Sequence, residues 1–180
     1  MTTETIAALK LNLGSGKTKM DGFVGVDSYA DSGADIICDL TVYPWPWPDN
    51  SVDEVHASHF LEHLSGLERI PFFNELWRIM KPGATATFVT PHWASIRAIQ
   101  DPTHKWPPVC ESFYMYLNAA WRESQELEHY LGLTCDFEPA APGYNVGPPW
   151  AQRSVEARDF ALAYHINVAA DLHQVLTKRG

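Results

Sequence analysis

The sequence predicts an α/β protein with a mostly parallel central sheet and helices on both faces. Short apolar runs alternate with helical patterns, which is typical of strand–helix–strand units. A tight glycine turn, Gly14-Ser-Gly16, follows the first apolar run, and the acids Asp27 and Asp39 close the next two. Carboxylates just past the ends of neighbouring strands lie at the edge where α/β sheets bind ligands. The sequence therefore predicts a ligand site at this edge.

Five strands are predicted in the first half of the chain. They cover Leu9–Leu13, Phe23–Val26, Ile36–Cys38, Val52–Ala57 and Ala84–Thr90. Asp27 follows Gly16 by eleven residues, so the first crossover has room only for a short first helix. Dinucleotide-binding folds place roughly twenty residues between their glycine turn and the acid that binds the ribose. The short spacing disfavours an NAD-dependent oxidoreductase.

A helix is predicted between the fourth and fifth strands, over Leu67–Met80. Its apolar residues recur at the spacing of one buried helical face, at Phe72, Leu76, Ile79 and Met80. Pro71 is assigned to the first turn, where a proline is tolerated. Lys81-Pro82-Gly83 is assigned to the end of the helix.

The second half of the chain has weaker patterns. Residues 91–110 and 138–152 are rich in proline and predict two long loops on the ligand side of the sheet. Short helices are predicted over Glu111–Asn118 and Arg122–Leu131, and a last strand over Val168–Thr177. Neither a linker nor a repeat divides the sequence, so a single domain is predicted over residues 1–180.

Composition and charge narrow the class of protein. The formal net charge is −9, and 13 basic residues face 22 acidic ones without a basic block. Nucleic-acid binding draws on Lys and Arg that neutralise phosphates, so the charge disfavours a nucleic-acid partner and favours a small or carbohydrate-like one. A membrane span of about 18 apolar residues is missing, as is a secretory signal pattern. Cys38, Cys110 and Cys135 show no CxxC spacing, which predicts the reducing cytoplasm. The sequence does not indicate an oligomeric state.

The order of the motifs resembles the class I S-adenosylmethionine-dependent methyltransferases. Within them the chain is most similar to a small group related to the methyltransferase type 11 domain, often assigned to surface-sugar or phage gene clusters. LNLGSG resembles the first motif, GVD the ribose-binding strand end and CDL the adenine-binding step. PWPDNSVDEVHASHFLEHL and ELWRIMKPGATATFVTP resemble the segments around the fourth and fifth strands, so the resemblance runs from Leu11 to about Phe113. It implies a Rossmann-like methyltransferase fold that uses S-adenosylmethionine (SAM).

The resemblance also implies roles for particular residues. The glycine turn would pass beneath the methionine moiety, Asp27 would accept hydrogen bonds from the ribose, and Asp39 would accept from the adenine amino group. The implied cofactor-binding set is Leu13, Gly14, Ser15, Gly16, Asp27, Ser28, Asp39, Leu40, Ser58 and His59. Asn12 stands where many relatives carry an acid, which leaves a contact to the methionine ammonium open.

Histidines near the predicted ligand edge are candidates for acceptor chemistry. His59, His92 and His104 are the candidate catalytic bases, because histidine ionises near neutral pH and a hydroxyl acceptor must lose a proton. A role in holding the loops is an alternative for His92 and His104. His59-Phe-Leu-Glu62-His63 also matches the HxxEH spacing of inverted zinc peptidases. The α/β pattern argues against a peptidase.

The same histidine segment is similar to a metal cluster of certain O-methyltransferases. Small-RNA 2′-O-methyltransferases and ubiquinone-pathway enzymes carry Glu-x-x-Glu-His there and hold a divalent cation near the acceptor oxygen. The implied metal ligands are His59, Glu62, His63 and His92, a set that suits zinc, nickel or cobalt better than magnesium. Alternatively, Glu62 and His63 only orient the helix by hydrogen bonds.

The predicted function is SAM-dependent methyl transfer to a small or carbohydrate-like acceptor, with an oxygen as the methylated atom. The acceptor would enter between the loops at 91–110 and 138–152. Two alternatives stay open. One is a cofactor-binding module without transferase activity, and the other is a different adenosyl- or nucleotide-dependent enzyme.

Overall fold

One sheet of eight strands organises the chain. The computed structural model describes residues 8–127, 129 and 132–180. The strands are β1 Lys10–Leu13, β2 Val24–Asp27, β3 Ile36–Ile37, β4 Val52–Ser58, β5 Met80–Pro91, β6 Phe137–Pro139, β7 Gly143–Val146 and β8 Ala169–Lys178. Their order is β3-β2-β1-β4-β5-β8-β6, and β7 also pairs with β8. The first five strands are parallel, whereas β8 is antiparallel to β5, β6 and β7. The predicted α/β fold with a mostly parallel sheet is confirmed, as are its five early strands and the last one.

Four α-helices accompany the sheet in the described residues. They are α1 Gly66–Ile79, α2 Glu111–Met115, α3 Ala119–Ser124 and α4 Val155–Tyr164. Short 3₁₀ turns cover Ala30–Ser32, Leu61–His63, Ile96–Ala98 and Trp150–Gln152. Across the part of the chain that is described, none of the helices is both long and apolar enough to cross a bilayer.

Helix α1 begins at a capping box. The Ser65 hydroxyl accepts from the Glu68 backbone N–H, and the Glu68 carboxylate accepts from the Ser65 backbone N–H at 2.7 Å. Because this box starts the helix at Gly66, Pro71 lies beyond its first turn, and the prediction for Pro71 was wrong. The helix ends at Ile79, and the segment with Gly83 belongs to a bulge in β5 rather than to the helix end.

The two faces of the sheet differ in burial. Leu11, Val55 and Ala86 are neighbours on the face that packs with the aromatic residues of α1, and each is fully buried. On the opposite face, the paired Lys10 and Glu54 side chains remain about one third exposed and form a salt bridge.

The crossovers explain the uneven burial. The segment between β1 and β2 contains turns and no helix, and the segment between β2 and β3 contains only the 3₁₀ turn Ala30–Ser32. Each is too short for a helix that could cover the sheet. The prediction of helices on both faces and of a short first helix therefore needs correction at this end of the molecule.

The second half of the chain differs from the predicted loops and helices. Residues 138–152 contain β7 and the end of β6, which pair with the outer edge of β8. Pro139 ends β6 at a sheet edge, where proline is tolerated. The helix predicted over Arg122–Leu131 is α3, which starts earlier and ends at Ser124. Residues 128, 130 and 131 of that prediction lie outside the described residues.

Candidate functional site

A cavity of about 350 Å³ opens at the carboxyl ends of β1, β2 and β4. We call it the cofactor cavity. It is lined by Gly14, Asp27, Ser28, Cys38, Asp39, Leu40, Thr41, His59, Phe60, His63 and Leu64. The position matches the ligand edge that parallel α/β sheets use.

Gly14, in the glycine turn, lines the cofactor cavity with backbone alone. Gly14 has a φ of +63°, and a Cβ there would lie 2.5 Å from Cδ2 of Phe60. Both the conformation and the close approach of the ring therefore require glycine at this position. Gly16 has a φ of +51°, but no heavy atom lies within 4 Å of where its Cβ would be.

Asp27 is held in place by the turn it faces. Its Oδ2 accepts from the Gly16 backbone N–H at 2.8 Å, and its Oδ1 accepts from the Tyr29 backbone N–H at 2.9 Å. Each carboxylate oxygen can accept a second hydrogen bond. The carboxylate is thus fixed at the rim of the cavity and can still accept from a ligand hydroxyl.

Asp39 is organised in a similar way by its own loop. Its Oδ1 accepts from the backbone N–H and the hydroxyl of Thr41, at 2.9 and 2.7 Å. The Thr41 hydroxyl, followed by the Thr41 N–H, lowers the pKa of the Asp39 carboxyl. The group is therefore an ionised acceptor at the far end of the cavity.

The predicted cofactor residues divide into lining and supporting groups. Six of the ten line the cofactor cavity: Gly14, Asp27, Ser28, Asp39, Leu40 and His59. Leu13 is buried in the core, and Ser15 is buried with its N–H bonded to the Val26 carbonyl. Gly16 does not line the cavity but donates its backbone N–H to Asp27, and Ser58 does not line the cavity either. The sequence reasoning missed Cys38, Thr41, Phe60 and Leu64, although each is next in the chain to a predicted site residue.

A second, smaller cavity of about 220 Å³ adjoins the first. We call it the acceptor cavity. Its lining is polar: His59, Glu62, His63, Pro91, Arg97, Gln100, Asp101 and His104. His59 and His63 line both cavities, so the two spaces meet at these histidines. The end of β5 and the loop after it supply the far wall.

His59 has an unusual backbone and a defined orientation. Its φ is +54°, a left-handed conformation that is uncommon outside glycine, and its N–H bonds to the Val89 carbonyl at 2.8 Å. Its Nδ1 lies 3.1 Å from Oε1 of the buried Glu62. This hydrogen bond is the main cause that raises the pKa of His59 above its ordinary value of 6.5. Strained residues of this kind cluster at functional sites.

Asp171, on the antiparallel strand β8, lies near His59. This buried carboxylate accepts from Arg97 Nη1 at 2.8 Å and from Asn145 Nδ2 at 3.2 Å. Its Oδ1 lies 3.9 Å from Nε2 of His59. The sequence reasoning missed Asp171, because its partners are far away in the chain and no local pattern marks it.

His92 lies outside the acceptor cavity. It is buried, and its Nε2 lies 3.1 Å from Oε1 of Glu111. It therefore does not complete the metal set predicted with His59, Glu62 and His63. Among the residues described, Glu62, His63 and His104 form a group whose ligand atoms lie within 4.8 Å of one another and could hold a metal ion. Of the two histidines in this part of the chain, His104 therefore lines the acceptor cavity and His92 does not.

Comparison with known proteins agrees with this geometry. Residues 26–88 match the family model of the type 11 methyltransferase domain. A SAM-dependent methyltransferase from Archaeoglobus fulgidus superposes with a TM-score of 0.60 at 19% identity, covering 96% of this chain and 86% of the other. The match over residues 26–88 and the superposition together show the fold of the class I SAM-dependent methyltransferases. The chain has no match among proteins of curated function.

Two further structures share the methyltransferase fold. One, from Methanosarcina mazei, has a TM-score of 0.58 at 15% identity, covering 97% of this chain and 94% of the other. The other is geranyl diphosphate C-methyltransferase from Streptomyces coelicolor, solved with Mg²⁺, geranyl diphosphate and S-adenosyl-L-homocysteine. Its TM-score is 0.55 at 12% identity, covering 96% of this chain and 71% of the other. The family match ends at residue 88, before the loop that walls the acceptor cavity.

Proposed function

We propose that this methyltransferase transfers the methyl group of SAM to an oxygen of a small, carbohydrate-like acceptor. The proposal rests on the position of one residue, His59. His59 stands where the two cavities meet, with its Nδ1 held by a buried carboxylate and its side chain 39% exposed. A base placed between a cofactor cavity and a polar cavity is what methyl transfer to a hydroxyl requires.

The residues of the cofactor cavity fit SAM. The oriented carboxylate of Asp27 suits the ribose hydroxyls, and that of Asp39 suits the adenine amino group. The backbone at Gly14 is open to the cavity because no side chain fits there. When bound, SAM supplies a methyl group on a positively charged sulfur.

His59 would act as the general base. Its Nδ1–H donates to Glu62, so the neutral ring keeps its lone pair on Nε2. Nε2 would take the proton of the acceptor hydroxyl, and the Glu62 carboxylate would stabilise the imidazolium that forms. The raised pKa of His59 makes its neutral ring a stronger base.

The lining of the acceptor cavity supports a small polar acceptor. Seven of its eight lining residues carry hydrogen-bonding side chains, and its volume is about 220 Å³. A hydroxyl-rich molecule such as a sugar matches such a lining better than an apolar one. The acidic net charge disfavours a nucleic-acid partner. The three free cysteines favour a reducing compartment, so we place the reaction in the cytoplasm. We also assign residues 1–180 to a single domain.

Calorimetry with S-adenosylhomocysteine tests the cofactor cavity. Asp27→Ala removes hydrogen bonds to a carboxylate, each worth about 1.5–3 kcal/mol, so we expect an affinity roughly 10- to 100-fold lower. Asp21→Ala is the matched control, because Asp21 is an exposed acid in the same crossover and does not line the cavity. Equal affinities for wild type and Asp27→Ala would contradict the assignment.

Methyl transfer to a panel of sugars, phenols and nucleosides tests the reaction. We expect turnover with hydroxyl-bearing sugars, measured as release of S-adenosylhomocysteine. Cofactor binding without transfer to any member of the panel would favour the binding module instead. Transfer to nitrogen rather than oxygen would overturn the choice of acceptor atom.

A further inference from the structure

Two histidines beside the proposed base take no part in the role assigned to His59. His63 and His104 have ring centroids 5.0 Å apart, at an interplanar angle of 78°. With Glu62 they bring one ligand atom each to within 4.8 Å of one another. Two imidazoles and a carboxylate are the ligands of an open zinc site, in which three protein ligands leave a position free.

The hydrogen bonds of His104 leave Nε2 available as a ligand. Its Nδ1 lies 3.1 Å from the Ala98 carbonyl oxygen. A carbonyl can only accept, so Nδ1 carries the proton and the neutral ring holds its lone pair on Nε2. A metal-binding histidine is commonly oriented in this way, by donating its other N–H to a backbone carbonyl.

Two successive hydrogen bonds orient His63, and they lead to Thr103 and Asp101 in the loop that also carries His104. Its Nδ1 lies 3.3 Å from the Thr103 hydroxyl, which donates its only proton to Asp101 Oδ1 at 2.7 Å. The hydroxyl oxygen must therefore accept from His63 Nδ1–H, and His63 also keeps its lone pair on Nε2. The Asp101–Thr103 turn thus fixes His63 and leads directly to His104.

Glu62 has a buried carboxylate oxygen that lacks a hydrogen-bond partner, which is independent support for a bound cation. Its side chain is buried, Oε1 contacts His59, and Oε2 is buried with no hydrogen-bond partner. Leaving a buried carboxylate oxygen without a partner is costly, and a cation would remove the cost.

We propose that Glu62, His63 and His104 bind a divalent transition-metal ion in the acceptor cavity, with zinc as the best match. Imidazole ligands select zinc, cobalt or nickel over magnesium, which requires oxygen ligands. This set replaces the one predicted with His59 and His92. It goes beyond the proposed methyl transfer, because metal binding requires neither SAM nor acceptor.

Titration of chelator-treated protein with Zn²⁺ tests the site. We expect one Zn²⁺ per chain by calorimetry, and visible absorption when Co²⁺ is used as the probe. His104→Ala should weaken Zn²⁺ binding by more than about 100-fold, since changes to outer-shell partners alone cost about 10- to 100-fold. His173→Ala is the matched control, because His173 is an exposed histidine on β8 outside both cavities, and it should bind as wild type.

Thr103→Val provides a second test that keeps all three ligands. It removes the oxygen that orients His63, and we expect Zn²⁺ affinity to fall about 10- to 100-fold. Circular dichroism of the metal-free variants checks that each is folded. A wild type that binds no Zn²⁺, or a folded His104→Ala that binds as tightly as wild type, would overturn the proposal. Neither result would affect calorimetry with S-adenosylhomocysteine, so the proposed function would be judged separately.

Discussion

The cofactor cavity and the acceptor cavity share two histidines but are built in different ways. The cofactor cavity lies at the carboxyl ends of β1 to β4, where the Gly14 backbone and two carboxylates are joined by side chains of the segment after β4. The acceptor cavity is formed by side chains from the turn after β4, the end of β5 and the loop near His104. Asp171, from β8, supports it through Arg97. One region is therefore defined by strand order, and the other by contacts between distant segments.

The family match covers the two cavities unequally. The matched family segment covers residues 26–88, which includes both carboxylates of the cofactor cavity. Arg97, Gln100, Asp101 and His104 lie beyond it. A scaffold of strand ends can keep one cofactor while the loops after β5 change the acceptor.

Replacing His59, the proposed base that lines both cavities, should have the largest effect, and it should lower turnover far more than cofactor affinity. His59→Asn keeps a residue type that tolerates the left-handed backbone, so the fold should persist. We expect kcat to fall by about 10²- to 10⁴-fold, the usual contribution of a general base. Affinity for S-adenosylhomocysteine should change far less. If affinity and kcat fell together, His59 would belong to the cofactor cavity alone.

The glycine turn offers a matched pair that tests the backbone floor of the cofactor cavity. Gly14→Ala and Gly16→Ala both place Ala at positive φ, which costs about 1–2 kcal/mol. Only the Gly14 variant also forces Cβ against Phe60, which adds about 1–3 kcal/mol of overpacking. Urea unfolding should therefore show Gly14→Ala to be the less stable variant. Equal losses would mean that the Phe60 ring moves freely.

The pH dependence of turnover gives the smallest expected effect. His59 must be unprotonated to act as a base, so kcat/KM should rise with pH through a pKa above 6.5. Glu62→Gln removes the main cause of the raised pKa, and the acid limb of the profile should move to lower pH. An acid limb that stays in place would point to another titrating group.

The same pKa shift has a defined sign in stability. A raised folded-state pKa means that protonation of His59 stabilises the fold. This contribution is fully present below the unfolded pKa near 6.5, and it is lost as pH rises through the raised value. Glu62→Gln should flatten this part of the stability profile in urea unfolding.

The parallel half of the fold and most of the cofactor cavity could be predicted from the sequence. The glycine turn, Asp27 and Asp39 could be predicted because each follows an apolar run in chain order, and strand ends meet at one edge. The sequence could not show which of His92 and His104 lies beside Glu62 and His63, because this depends on how the loop after β5 folds. Asp171 gave no local signal, and β7 was hidden in a segment rich in proline and glycine.

The partly exposed sheet face has a consequence for unfolding. Lys10, Glu54 and their neighbours already meet water in the folded protein. Unfolding therefore exposes less new apolar area than in a sheet covered on both faces, and both the denaturant m-value and the heat-capacity change scale with that area. We expect both quantities to be low for a chain of 180 residues. The curve of stability against temperature should be correspondingly broad, with a shallow maximum.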